Sequence, residues 1–259
     1  MNDPTQAQSQ NEQLQSESLQ DDVSQHVALY GGSFDPVHLG HLAVARAAAQ
    51  KFNLDRIYFV PADVQPLKAQ QQVTNFYHRY AMLAVALQGE ARFLPSLLEA
   101  PEIVRAAGRE ASYTVDTVAR MRSRMSPDTR LYFLLGMDAF QHIAKWRSAV
   151  ELLRSAEFIV ASRPGFPLHD VVRALPQELR PDESGARTLL ETGSLETHGA
   201  TIHLLPDVNE EVSATEIREA ARRGSGLERL VPKAVAEYIT KLKIYDESAE
   251  PGTPEPPRV

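Results

Sequence analysis

The 259-residue chain contains no cysteine, so it can form neither a disulfide nor a thiolate nucleophile, and it cannot bind zinc through cysteine. It also lacks an apolar run long enough to cross a bilayer, and its polar N-terminal segment lacks the apolar core of a signal peptide. Acidic residues outnumber basic ones, which gives a formal net charge of -7. This charge argues against general electrostatic binding of nucleic acid. We therefore expect a cytoplasmic protein without membrane or nucleic-acid partners, in which local groups hold any anionic ligand.

Composition divides the chain into one domain and two tails. Residues 1–25 offer almost nothing that could fill a core, and residues 246–259 are rich in Pro and Glu, so both are predicted to be disordered. Between them, residues 26–245 form a single domain. Within it, residues 166–200 are rich in Pro, Gly and Glu, and we interpret them as a variable insertion of unknown purpose.

Apolar segments with β propensity alternate with segments of helical period through this domain. The predicted strands are 27–30, 57–62, 131–136 and 158–163. The predicted helices are 39–52, 76–88, 113–125 and 232–243. A strand pair is also expected at 187–192 and 201–206. This alternation, with fully apolar strands, predicts an α/β fold in which a Rossmann-like, doubly wound parallel sheet carries helices on both faces.

The first candidate site is the segment GGSFDPVHLGH, which directly follows the strand that ends at Tyr30. Gly31 and Gly32 lack a Cβ, so the backbone can turn sharply there and approach a phosphate closely. His38 and His41 lie three residues apart at the predicted start of the next helix, where both can face one anion beside the positive helix end. Protonated, they could donate hydrogen bonds to charge that develops on a phosphoryl group. Taken alone, the HxxH pair also fits two surface residues or half of a zinc site.

With its strand and its glycines, this segment resembles the signature of the HxGH nucleotidyltransferase superfamily. The resemblance implies a reaction in which ATP or CTP is attacked at its α-phosphate. It implies that His41 is the first choice for the α-phosphate contact and His38 the second. The same resemblance implies that ATP is also bound by Gly31, Gly32, Ser33 and Phe34.

The second candidate site is the segment VSATEIREAARRG, which reads as the start of a helix. Ser213 is a predicted N-cap, Glu216 completes a capping box, and Val212 pairs with Ile217 as a hydrophobic staple. Gly224 is the predicted end of the helix. These features alone also fit a well-capped surface helix.

The same segment resembles the superfamily motif I-S-S-T-x-I-R, whose helix start and arginine hold the ATP phosphates. Ser213, Thr215 and Arg218 match the motif, and the resemblance implies that all three bind ATP. Ala214 replaces the second serine and removes one hydroxyl contact, although its backbone N–H stays available to an anion.

Three further stretches resemble the bacterial nicotinate-nucleotide adenylyltransferases: PLKAQQQVTNFYHRYAML, GREASYTVDTVARM, and LGMDAFQHIAKW, which is followed by SRPG. Lys68 and Arg79 are candidate cations for the phosphate of the mononucleotide, because fixed cations both position and neutralise it. Both also fit ordinary solvated charges. The family usually has His before this lysine, whereas this chain has Leu67.

The resemblance assigns the rest of the mononucleotide site. Trp146 becomes the plate on which the nicotinate ring stacks, and Arg147 is its neighbour in the site. Thr114 and nearby backbone N–H groups receive the nicotinate carboxylate. From composition alone, the only tryptophan of the chain would be a core or surface-packing indole.

Three more residues are assigned to ATP. Gly136 and Asp138 follow a predicted strand at its carboxyl end, where open α/β sheets bind ligands. Asp138 could accept hydrogen bonds from a ribose, help to organise a metal, or simply cap a helix. Arg163 closes the next predicted strand, and SRPG resembles the adenylate-side loop of the family.

The resemblance therefore implies an enzyme of NAD biosynthesis that joins nicotinate mononucleotide to the AMP part of ATP and releases pyrophosphate. Mg²⁺ is expected to enter with ATP, without dedicated protein ligands. Two alternatives stay open: adenylyl transfer to pantetheine phosphate, and a non-catalytic nucleotide-binding relative. Homo-oligomer formation is left open as well.

Overall fold

The computed structural model describes residues 25–63, 73–162, 169–206, 208 and 212–246. Its strands form one sheet in the order β3-β2-β1-β4-β5-β7-β6. Neighbouring strands are parallel, except that β6 runs antiparallel to β7. The strands are β1 (His26–Gly32), β2 (Arg56–Pro61), β3 (Phe93–Pro95), β4 (Arg130–Gly136), β5 (Glu157–Ala161), β6 (Ser194–Thr197) and β7 (Ala200–Leu205). The predicted α/β sheet and its first four predicted strands are confirmed.

Helices connect the strands. They are α1 (Leu39–Lys51), α2 (Phe76–Ala86), α3 (Pro101–Ala106), α4 (Thr114–Arg122), α5 (Met137–Phe140), α6 (Ala149–Ser155), α7 (His169–Ala174), α8 (Glu183–Thr192), α9 (Ala214–Arg223) and α10 (Lys233–Leu242). Short 3₁₀ turns lie at Ile143–Lys145, Gln177–Leu179 and Leu227–Arg229. Among the described residues, no helix is long and apolar enough to cross a membrane.

The sheet has a hydrophobic core on each face. Alternate residues of β1 point to opposite faces, so that Ala28 and Tyr30 join one core while Val27 and Leu29 join the other. Helices α1, α2, α9 and α10 supply buried side chains to the first core, and α4 and α6 supply them to the second. A central strand that is buried on both faces explains the fully apolar run VALY.

One strand prediction is wrong. Residues 187–192 belong to helix α8, and the strand that pairs with β7 is β6, directly after it. The Asp182 carboxylate caps the helix by accepting the Gly185 N–H at 2.9 Å, and Gly193 ends it with a φ of 72°. The short apolar pair inside RTLLET fits either period, and the caps on both sides decide for a helix.

The order of the strands marks one end of the sheet as the expected ligand site. From β1 the chain proceeds to β2 and β3 on one side, and it returns to build β4, β5 and β7 on the other side. The strand order therefore reverses between β1 and β4. In open α/β sheets, ligands bind outside the carboxyl ends of the strands at such a switch point.

Candidate active site

The predicted nucleotide segments that follow β1 and β4 both lie at this end of the sheet. β1 ends at Gly32 and β4 ends at Gly136, and the two strands are paired along their length. Asp138 lies just beyond, in the first turn of α5, and it is exposed. It is not the N-cap of that helix, since Gly136 takes that position.

The two glycines are required for a reason other than the predicted sharp turn. Gly31 and Gly32 continue strand β1, and the backbone turns at Phe34, which has a φ of 47°. A Cβ added at Gly31 would lie 2.7 Å from the Phe133 ring on β4, and one at Gly32 would lie 3.0 Å from the Phe34 ring. The glycines are therefore needed because two aromatic rings cover them.

His38 and His41 form a reciprocal cap at the start of α1. His38 is the N-cap residue, and its Nδ1 accepts the His41 N–H at 3.4 Å, while His41 Nδ1 accepts the His38 N–H at 3.2 Å. The ring centroids lie 3.6 Å apart, with the planes tilted by 31°. Because each Nδ1 accepts a backbone N–H, Nε2 is the ring nitrogen left to donate to a ligand. The two rings are thus held together at the positive end of a helix.

The surroundings of His41 keep it neutral. Its ring packs edge-on against Phe34, at 4.9 Å between centroids, and against Tyr30, at 6.0 Å. Removal from water lowers the pKa of His41 well below 6.5, and the neighbouring His38 lowers that pKa further. His41 is therefore neutral in these surroundings, with Nε2 as its donor, and its protonation beside a phosphate stays a prediction.

Arg79, a predicted phosphate contact, lies beneath residues 33–38, the loop between β1 and α1 that we call the histidine loop. The side chain is 2% exposed, with Nε donating to Thr74 O at 2.8 Å and Nη1 donating to Ser33 O at 2.7 Å. Burial lowers the pKa of Arg79, although nearby carboxylates, of which Asp35 acts most strongly, oppose this shift. Its observed contacts hold the loop after β1, and its contact with a mononucleotide phosphate stays a prediction.

The second predicted helix meets the same loop. Ser213 caps α9 by accepting the Glu216 N–H at 3.1 Å, and Gly224 ends the helix with a φ of 67°, as predicted. Arg218 Nη1 donates to Asp35 O at 2.9 Å, and Nη2 donates to Thr215 Oγ1 at 3.3 Å. Two segments almost two hundred residues apart in sequence therefore come together: α1 begins directly after the histidine loop, and Arg218 of α9 contacts that loop at Asp35.

The predicted nicotinate residues also come together. Thr114 is the first residue of α4, after the N-cap Tyr113. The Arg147 guanidinium lies over the Tyr113 ring, 4.7 Å from its centroid. Trp146 is half-buried and packs edge-on against Phe133 at 6.4 Å, on the same ring that covers Gly31. The Phe133 ring thereby contacts both Trp146, the predicted stacking partner of nicotinate, and Gly31 at the end of β1.

Two predicted site residues, Lys68 and Arg163, lie outside the described residues. Within the described ranges, no group of three or more His, Cys, Asp or Glu side chains is placed to hold a metal ion. The zinc interpretation of the HxxH pair therefore has no further ligand in this part of the chain.

Three buried or half-buried residues of the site escaped the sequence analysis. Asp35 is 7% exposed and accepts hydrogen bonds from Thr74 N at 3.1 Å and from the Tyr245 hydroxyl at 2.7 Å. Glu99 is buried below α4 and accepts a hydrogen bond from Thr117 at 2.7 Å, and burial raises its pKa. Asp35 could have been found as an acidic residue inside the GGSFDPVHLGH segment, whereas nothing local marks Tyr245 or Glu99.

Known proteins are similar to this chain in sequence. The cytidylyltransferase-like family profile matches residues 29–220. A probable nicotinate-nucleotide adenylyltransferase of Moorella thermoacetica is 36% identical over 220 residues, which cover 85% of this chain and 91% of the relative. A probable nicotinate-nucleotide adenylyltransferase of Pelobacter propionicus is 34% identical over 222 residues, covering 85% of this chain and 98% of the relative.

A solved structure shares the fold. The nicotinic acid mononucleotide adenylyltransferase of Plasmodium falciparum, in complex with NaAD, superposes with a TM-score of 0.61 at 18% identity, covering 85% of this chain and 97% of that chain. The family profile spans well over half of the chain, and the curated relatives align along nearly their whole length. The chain therefore belongs to the cytidylyltransferase-like family and, within it, to the nicotinate-nucleotide adenylyltransferases.

Proposed function

We propose that the chain transfers the adenylyl group of ATP to nicotinate mononucleotide, giving nicotinate adenine dinucleotide and pyrophosphate in NAD biosynthesis. One observation carries the proposal: His38 and His41 cap each other's backbone N–H at the start of α1, with ring centroids 3.6 Å apart, after the strand at the switch point of the sheet. A pair of neutral donors at a helix N-terminus suits an anion that gains charge in a transition state.

The reaction joins two phosphates by in-line attack. An oxygen of the mononucleotide phosphate attacks the α-phosphorus of ATP, the new P–O–P bond forms, and the bond to the leaving pyrophosphate breaks. Because the attacking phosphate is already an anion, no general base is needed, and the chain has to align the reactants and stabilise charge. His41 Nε2–H and then His38 Nε2–H are assigned to the α-phosphate oxygens.

The triphosphate extends from the histidines to α9. Its N-terminal turn offers backbone N–H groups and the side chains of Ser213, Thr215 and Arg218. Arg218 donates to Asp35 O and to Thr215 Oγ1, so phosphate binding would add to or replace these contacts. Mg²⁺ enters as part of the ATP substrate complex and keeps its waters, without a cage of protein ligands.

The ends of ATP and of the mononucleotide are assigned to opposite sides of the histidines. Gly136 and Asp138 at the end of β4, together with Arg163, are assigned to the adenosine part of ATP. The nicotinate ring stacks on Trp146 beside Arg147, and its carboxylate is received at the N-terminus of α4, at Thr114. Lys68 and Arg79 are assigned to the mononucleotide phosphate.

The test measures pyrophosphate release from ATP with three acceptors: nicotinate mononucleotide, nicotinamide mononucleotide and pantetheine phosphate. We expect a strong preference for the nicotinate form, because donors that match a carboxylate lose that match with an amide. Equal kcat/KM values for acid and amide would contradict the carboxylate site. Activity with pantetheine phosphate alone would favour the related transferase, and inactivity with all three acceptors would favour a non-catalytic relative.

A further inference from the structure

The carboxylate of Asp35 is held at both oxygens by parts of the chain that are distant in sequence. Oδ1 accepts the hydroxyl of Tyr245, 210 residues away, at 2.7 Å. Oδ2 accepts the backbone N–H of Thr74 at 3.1 Å, and the Asp35 carbonyl accepts Arg218 Nη1 at 2.9 Å. Asp35, between Phe34 and the histidines, is thus fixed by three donor atoms from three distant residues: the Tyr245 hydroxyl, the Thr74 N–H and Arg218 Nη1.

The histidine loop needs such support, because its backbone is strained. Phe34 adopts a φ of 47°, in the left-handed region that an aromatic residue rarely occupies. Its ring is buried against Tyr30 and Phe59 and touches the His41 ring edge-on at 4.9 Å. A relaxed loop would therefore move the Phe34 ring and, with it, the orientation of His41.

We propose that Tyr245 is a positioning residue for adenylyl transfer: its hydroxyl fixes the Asp35 carboxylate and thereby holds the loop that orients His38 and His41. The inference rests on the proposed function, since it concerns the same site. Tyr245 touches no reacting atom; it acts through Asp35.

The place of Tyr245 in the fold suits this role. Tyr245 lies three residues after helix α10 and has a φ of 75°. Helix α10 packs against α2, and Thr74 lies two residues before α2 begins. The C-terminal end of the domain and the start of α2 thus hold the same carboxylate. Burial and the Asp35 charge raise the pKa of Tyr245, so the hydroxyl keeps its proton and donates throughout the neutral range.

The chain offers a matched control. Tyr238, on α10 itself, makes a hydrogen bond of 2.9 Å between its hydroxyl and His78 Nδ1. Tyr245→Phe and Tyr238→Phe each remove one hydroxyl and one hydrogen bond from the C-terminal part of the domain. Only the first removes a contact with the histidine loop.

The experiment measures kcat, both KM values and the melting temperature of the full chain with ATP and nicotinate mononucleotide. For Tyr245→Phe we expect kcat to fall about tenfold, the scale of one lost hydrogen bond to a carboxylate, with the KM for the mononucleotide unchanged. Tyr238→Phe should keep the wild-type kcat, and the two variants should lose similar amounts of thermal stability. A double-mutant cycle with Asp35→Ala should show non-additive losses, because each change removes the hydrogen bond between the Tyr245 hydroxyl and Asp35.

A kcat for Tyr245→Phe equal to that of the wild type and of Tyr238→Phe would overturn the inference. So would equal loss of kcat in the two tyrosine variants, or additive effects of Tyr245→Phe and Asp35→Ala. If Tyr245→Phe does not fold, the Asp35→Ala variant carries the test, and an unchanged kcat there would overturn the inference. A wild-type chain without transfer activity would instead refute the proposed function itself.

Discussion

The contact between Gly31 and Phe133 predicts a specific destabilisation. In Gly31→Ala the new Cβ would lie 2.7 Å from Phe133 Cζ and 3.4 and 3.5 Å from its two Cε atoms. Phe133 is 3% exposed and is packed against Phe158 and Trp146, so the ring has little room to move. Gly31 does not have a positive φ, so the cost of the substitution comes from overpacking and not from backbone strain.

Overpacking of this kind costs about 2 kcal/mol of unfolding free energy, which for a domain of this size lowers the melting temperature by about 4–8 °C. Thermal and urea unfolding measure both quantities. Gly136→Ala is the matched stability control, because an added Cβ there meets nothing within 4 Å. Its unfolding free energy should stay within about 0.5 kcal/mol of the wild-type value.

Phe133→Leu provides the decisive check on the cause. Removal of the ring atoms that clash should rescue Gly31→Ala, so that the double variant is more stable than the sum of the two single losses predicts. The explanation would be refuted if Gly31→Ala unfolded like the wild type, or if the two substitutions were additive.

Three further predictions concern His41, the start of helix α9 and Trp146. Because the pKa of His41 is lowered in the folded state, the unfolded chain binds more protons below about pH 6.5, so stability is full above that pH and falls as pH decreases towards the folded pKa. His41→Asn keeps an acceptor for the His38 N–H and should weaken this dependence in urea unfolding from pH 7 to pH 5; an unchanged profile would contradict it. Ser213→Ala should cost about 1 kcal/mol of stability and also weaken ATP binding, because Ser213 caps α9. Ala214→Ser should fold normally and bind ATP equally or slightly more tightly. A marked loss of activity in Ala214→Ser would contradict the assignment of the start of α9 to the ATP phosphates. Trp146→Ala should raise the KM for the mononucleotide by about tenfold with the KM for ATP unchanged, and an unchanged KM with lower stability would mean that the indole only packs.

Local patterns predicted much of the site. The apolar strands, the Ser213 cap, the Gly224 terminus and the histidine pair at the start of α1 all follow from short-range rules, and the structure has them. These features depend on neighbours in sequence, such as the N–H three residues after a cap.

Long-range contacts could not be predicted in the same way. The need for glycine at position 31 comes from a ring on β4, and the link between Asp35 and Tyr245 spans 210 residues. Burial of Arg79 under Ser33 likewise follows from the way α2 packs, whereas its sequence context suggested a phosphate-facing cation. Such contacts exist only once the sheet is assembled.

In the proposed reaction, His41 donates its Nε2–H to the α-phosphate during adenylyl transfer. The most direct test of this donation is the rate of pyrophosphate release by His41→Asn with saturating ATP and nicotinate mononucleotide, compared with the wild-type chain. Asparagine preserves the helix cap and removes the Nε2–H, so we predict a kcat at least roughly a hundredfold lower in a protein that is folded at the assay temperature. A folded His41→Asn variant that releases pyrophosphate at the wild-type rate would contradict the account.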